Sequence, residues 1–115
     1  MTTEPQVLDE NVVRGLVEMG SFDPAFYPRL IDKFAESSAA TVRDMRAAIA
    51  SGNAQQVREL GHGLKGAALQ LGATEAGAIA RDIELASEGA AFGGPVDALE
   101  SALARAVDAL RSFGR

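Results

Sequence analysis

Glycine, proline and short polar residues cut this sequence into five segments, and within each one apolar residues recur every three or four positions. That spacing is the period of an α-helix, and five such segments in a chain of 115 residues leave few ways to fold. The composition agrees. Of the apolar residues 22 are alanine, only 6 residues are aromatic, and the β-branched residues that favour strands are few.

The first segment runs from Asp9 to Met19, with Val12, Val13, Leu16 and Val17 on one side and Gly20 as its stop. It is short, an accessory to the rest. Asp23 followed by Pro24 opens the second, because the carboxylate caps free N–H groups and proline has no donor to orphan. This segment runs to Ser51 and Gly52. Pro28 falls about one turn in and removes a backbone bond, which moves the start of regular helix to near Tyr27. Phe26, Leu30, Ile31, Phe34, Val42, Met45 and Ile49 form its apolar stripe.

Asn53, with Gln56 three residues on, makes a capping-box pattern for a third helix that continues to Leu71, before Gly72. Thr74 caps a fourth, in which Ile79, Ile83, Leu85 and several alanines face inward as far as Glu88 and Gly89. The stretch Gly89 to Pro95 reads as a flexible connection. Pro95 then opens a fifth helix carrying Val96, Leu99, Leu103, Val107 and Leu110. Four long amphipathic helices joined by short loops predict an all-α fold, an antiparallel four-helix bundle with a short additional N-terminal helix. The length suits a single domain over residues 1–115, burying roughly 60 to 70% of its unfolded surface.

Several functions are excluded at this level. With no cysteine there is no disulfide framework and no thiolate metal site, and one histidine cannot build a multi-imidazole site, so we expect no bound metal. A net charge of -5 opposes binding to nucleic acid, which needs a basic face. No apolar run approaches the roughly 18 residues of a membrane span. Met1 to Gln6 is polar and acidic rather than basic then apolar, so the expected location is the cytoplasm. The span from Met1 to Arg115 suggests a free-standing protein.

The third helix carries the specific information. At 100° per residue with Val57 at zero, Leu60, Leu64, Ala67, Ala68 and Leu71 fall within about 80° of one direction, which defines its core face. His62 lies at about 140°, toward solvent, with Arg58, Glu59, Lys65, Gly66 and Leu69 as neighbours along the helix. Gly61, Gly63 and Gly66 crowd the same stretch, each costing about 0.8 to 1 kcal/mol relative to alanine in a helix interior. Gly61 points to the core side, where it permits tight packing. Gly66 projects on the face of His62 and Gly63 on its flank, leaving the imidazole clear for a bulky partner.

A neutral exposed imidazole is a competent nucleophile toward phosphorus. Lys65, one turn on, is placed to offset the charge of a phosphoryl group. The sequence has no GxxxxGK[ST] loop, no glycine-rich kinase loop and no evident carboxylate cage for magnesium, so it is expected to carry a phosphoryl group without making one from ATP.

The run His62-Gly63-Leu64-Lys65-Gly66, then Leu71-Gly72-Ala73 and Ile83-Glu84, resembles the signature of histidine-containing phosphotransfer (HPt) domains. Phe34 looks like the aromatic residue that the family places on the preceding helix, and the likeness covers about residues 20–112. The chain departs from the pattern in places: Gly63 stands where serine or threonine is common and Ala67 where serine is. Near Ala76 a usual leucine is replaced as well. The resemblance implies the same helical bundle and a non-enzymatic carrier in a two-component phosphorelay. By position, His62 is then the phosphorylated residue through Nε2, Lys65 the electrostatic partner and Gly66 the clearance residue. Arg58, Glu59, Gly63 and Leu69 form the expected partner-binding set. The implied partners are response regulator receiver domains and a hybrid sensor histidine kinase, with no cofactor on this chain and magnesium supplied by the receiver. We expect a monomer.

Two other readings use the same residues. A helical binding module that docks on a kinase or receiver without phosphoryl transfer would also need the groove, the glycines and Leu69. A structural bundle would dimerise through an exposed apolar stripe. Lys65 has an ordinary surface role open to it as well, pairing with a nearby acid such as Glu59.

Overall fold

The computed structural model describes residues 6–87 and 90–113, in which five α-helices follow one another: α1 (Glu10–Met19), α2 (Phe26–Ala50), α3 (Ala54–Gln70), α4 (Thr74–Glu84) and α5 (Gly93–Phe113). Three-residue links at Ser51–Asn53 and Leu71–Ala73 leave room only for antiparallel neighbours, so α2, α3 and α4 run up and down. α5 closes the bundle against both α4 and α2. The largest fully buried side chains include Ile31, Met45, Val57, Ile83, Val96, Leu99 and Leu110, which fill the space between the four helices. Tyr27 adds a polar tie, its hydroxyl donating to the Leu110 carbonyl at 2.6 Å.

The helix starts show which sequence signals act. Asp9 caps α1 by accepting from the backbone N–H groups of Asn11 and Val12. Asn53 caps α3 by accepting from Gln56 N at 3.0 Å, while its own amide donates to Gln56 Oε1 at 3.3 Å. The pairing expected between these two residues is present. Asp23 does not begin α2 directly. Its carboxylate accepts from Ala25 N and its carbonyl from Phe26 N, and the helix starts at Phe26. Pro28 sits within the first turn, where backbone donors have no intrahelical partner, so it interrupts nothing.

Several expectations are corrected. Ala73, not Thr74, occupies the N-cap of α4, and the Thr74 hydroxyl instead donates to the Gln6 carbonyl, fastening the N-terminal segment. α4 ends at Glu84, short of Glu88 and Gly89, which lie outside the described residues; Leu85 is its cap and is 65% exposed rather than inward. The connection after it is anchored, because Phe92 is buried and α5 begins at Gly93, two residues before Pro95. On α3 the core stripe is Val57, Gly61, Leu64 and Ala68. Ala67 is exposed, since it lies at the edge of the arc that its neighbours fill.

α1 stands outside the bundle and covers the α3–α4 turn. Val13 is fully buried, and Asp9 N donates to the Gly72 carbonyl at 2.7 Å. Gly72 has φ +76°, and an added Cβ there would lie 2.9 Å from the Asp9 carbonyl oxygen. Backbone conformation and crowding both require glycine at this position.

Candidate functional site

α3 and α4 share the most extensive contact of any pair of helices described, and a glycine allows their close approach. A Cβ on Gly61 would come within 3.0 Å of the Ala80 carbonyl oxygen and 3.2 Å of both the Glu84 backbone nitrogen and Ile83 Cγ2. The antiparallel turn places His62 and Glu84 equally far along the chain from Ala73, so the two face each other across this contact. His62 Nδ1 is hydrogen-bonded to Glu84 Oε2. The other carboxylate oxygen, Oε1, accepts from Lys65 Nζ at 2.7 Å.

Exposure separates the roles of the three side chains. His62 is 69% exposed, whereas Lys65 and Glu84 are 26% and 20% exposed. The Lys65 ammonium, and after it the His62 ring, hold the Glu84 carboxyl below the ordinary carboxylate range, outweighing the upward push of partial burial. Glu84 is therefore ionised near neutral pH and can only accept. Its partner nitrogen must be the one that carries hydrogen, so a neutral ring has Nδ1–H toward Glu84 and the Nε2 lone pair directed away from it. An open lone pair on a ring whose orientation is fixed is what a nucleophile toward phosphorus needs.

The surroundings leave that nitrogen approachable. His62 and Glu84 line a shallow cleft of about 350 Å³ together with Gln55, Arg58 and Glu59. Added Cβ atoms at Gly63 and Gly66 would meet nothing within 4 Å. Leu69 is 47% exposed and stands two turns along α3 from His62, outside the cleft, with its side chain lying over Gly77 of α4. Arg58, Glu59 and His62 thus share a cleft, Lys65 joins His62 through Glu84, Gly63 and Gly66 are open positions, and Leu69 is set apart.

Lys65 pairs with Glu84 rather than Glu59, whose carboxylate instead accepts from Gln55 Nε2 at 3.2 Å. Glu84 is the residue that the sequence reading did not assign to the site. It carried a signal nonetheless: it ends the Ile83-Glu84 pair, and its symmetry with His62 about the α3–α4 turn places the two side by side. Among the described residues no cluster of three or more His, Cys, Asp or Glu side chains could hold a metal ion, and no helix is long and apolar enough to cross a membrane.

Comparison with known proteins follows the same lines. A family model described as Hpt domain matches residues 29–113. Among solved structures the chain is similar to histidine-containing phosphotransfer protein B (HptB) from Pseudomonas aeruginosa PAO1, with a TM-score of 0.79 and 22% identity over 94% of each chain. It is also similar to the yeast phosphorelay protein YPD1, with a TM-score of 0.68 and 14% identity over 99% of this chain and 93% of that one. At such identities the structural likeness establishes the fold. No curated protein sequence matches the chain significantly.

Proposed function

Because the chain belongs to the Hpt domain family, we propose that it carries a phosphoryl group on His62 between receiver-domain aspartates of a two-component phosphorelay. The observation that carries this reading is the Nδ1 contact with Glu84, which leaves Nε2 as the free nitrogen of an exposed ring. Nε2 attacks the phosphorus of a receiver's aspartyl phosphate in line. The bond between phosphorus and the aspartyl oxygen breaks, and its electron pair leaves with the carboxylate. Transfer onward is the reverse step at a second receiver.

Each remaining residue has a stated part. Glu84 fixes the tautomer and the ring orientation. The Lys65 ammonium has three N–H donors, so it can keep Glu84 and reach a phosphoryl oxygen as well. Gly66 and Gly63 leave room for the receiver, Arg58 and Glu59 supply contacts beside the ring, and Leu69 supplies an apolar contact two turns along α3. Magnesium and the aspartyl phosphate belong to the receiver, and the protein acts as a monomeric reactant that binds no ATP. A hybrid sensor kinase is the proposed source of the phosphoryl group.

The test is incubation with a receiver domain carrying labelled phosphate. We expect acid-labile, alkali-stable label on the wild type and none on His62→Gln. No label on the wild type, or equal label on both, overturns the reading. A non-transferring docking module would instead keep its regulatory effect in His62→Ala.

A further inference from the structure

Glu84 gives one oxygen to His62 and the other to Lys65, so a single carboxylate is shared between the ring and the cation beside it. We propose that this shared carboxylate holds the Nδ1 proton on the ring after phosphorylation, so that His62 stores its phosphoryl group as an imidazolium. The proposal rests on His62 being the carrier and concerns how readily the carrier gives the group up.

The chemistry follows from counting charges. Attack by Nε2 forms the P–N bond and leaves the ring with a positive charge and its Nδ1–H intact. If that proton is then lost, the ring becomes neutral, and cleaving the P–N bond would have to expel an imidazolate, a poor leaving group. If the proton stays, attack by a receiver carboxylate breaks the P–N bond and returns the electron pair to a neutral imidazole. No proton has to enter or leave in either direction.

The site is arranged to keep it. Among the described residues, the charged groups around the ring are Arg58, Glu59 and Lys65 from α3 and Glu84 from α4. Of these, Glu84 is the one hydrogen-bonded to Nδ1, and it is mostly shielded from water. A contacting anion favours the charged ring, as an opposite charge does for any titrating group. Lys65 works in the other sense. It draws on the same carboxylate and is a like charge to the imidazolium, so it limits how firmly the proton is held. The pair Lys65 and Glu84 thereby sets the lifetime of the phosphorylated ring, with Glu84 favouring release and Lys65 moderating it.

Phosphoramidate, a small donor that needs no receiver, provides the test on the full chain. Phosphorus NMR and phosphate release are followed against pH for wild type, Glu84→Gln and Lys65→Gln, with circular dichroism as the check on folding. We expect the titration midpoint of the phosphorylated ring in Glu84→Gln to lie about one to three pH units below that of wild type. The Lys65→Gln midpoint is expected to rise. Shifts of opposite sign cannot come from a common loss of structure, and the Lys65→Gln arm decides alone if Glu84→Gln does not fold. Coincident midpoints overturn the proposal and leave His62 as the carrier. A wild type that gives no phosphohistidine signal overturns the carrier reading and this inference with it.

Discussion

The backbone nitrogen of Glu84 lies 3.2 Å from where a Cβ on Gly61 would stand. The glycine beside the histidine therefore sets how near α4 approaches α3, and so whether the Glu84 carboxylate reaches the ring. Gly61→Ala gains about 0.8 to 1 kcal/mol of helix propensity but forces the two backbones apart, at a cost of about 1 to 3 kcal/mol. We predict a net loss of stability in urea denaturation together with slower phosphorylation. Gly63→Ala meets open space and should be more stable by about 0.8 to 1 kcal/mol in the same assay.

Gly66 separates clearance from packing. Its open surroundings accept a side chain without strain, so Gly66→Gln should keep or raise the denaturation midpoint. Stopped-flow or gel assays of transfer from a receiver should nevertheless slow by about 10- to 100-fold, because the two reacting groups are held off their working distance. A variant that transfers at the wild-type rate would remove Gly66 from the site.

Glu84 also gives stability a pH signature. Its carboxyl titrates below the ordinary value because Lys65 and His62 favour the ionised form, so the folded state binds that proton less readily than the unfolded chain. The resulting stabilisation is fully present above the ordinary carboxylate range, which lies near 4.5, and is lost as pH falls through the lower folded value. Urea midpoints of wild type and Glu84→Gln should therefore differ most near neutral pH and converge in acid.

Tyr27 serves the fold and not the chemistry. Tyr27→Phe removes the donor to the Leu110 carbonyl, inside the bundle, and should cost about 1 to 3 kcal/mol in urea denaturation. Transfer rates should not change. Burial also raises the phenol above its ordinary value of 10.0, so the phenolate absorbance of the native protein should appear only at higher pH than in the unfolded chain.

Much of this was legible in the sequence because it depends on period and punctuation. The amphipathic stripes gave the helix count, Asn53 with Gln56 fixed the start of α3, and the angular position of His62 foretold its exposure. What was missed depends on contacts between segments. Thr74 carries a capping residue's hydroxyl, but the N-terminal segment captured it through Gln6. Leu85 continues the apolar spacing of α4, yet the helix stops one residue earlier and Phe92 is the buried anchor of the connection. Glu84 looks like a surface acid until the turn at Gly72 and the absent side chain of Gly61 bring α4 against the histidine. Lys65 was correctly placed beside the ring, and its partner was not.

Leu69 tests the docking surface apart from the chemistry. It is exposed, lies over Gly77 and stands away from the cleft, so Leu69→Ala should leave labelling by phosphoramidate unchanged. Receiver affinity, read by calorimetry, should fall by about tenfold, corresponding to about 1.4 kcal/mol at an apolar contact. Unchanged affinity would place the receiver elsewhere on the bundle.

The most direct measurement of the central claim is a two-step chase. Protein labelled by one phosphorylated receiver is isolated, its labelled residue is mapped by mass spectrometry, and it is then mixed with a second, unlabelled receiver. The account predicts that the label maps to His62 and moves to the second receiver's aspartate as it leaves the protein. A label on any other residue, or one that stays on the protein while the second receiver remains unlabelled, would contradict it.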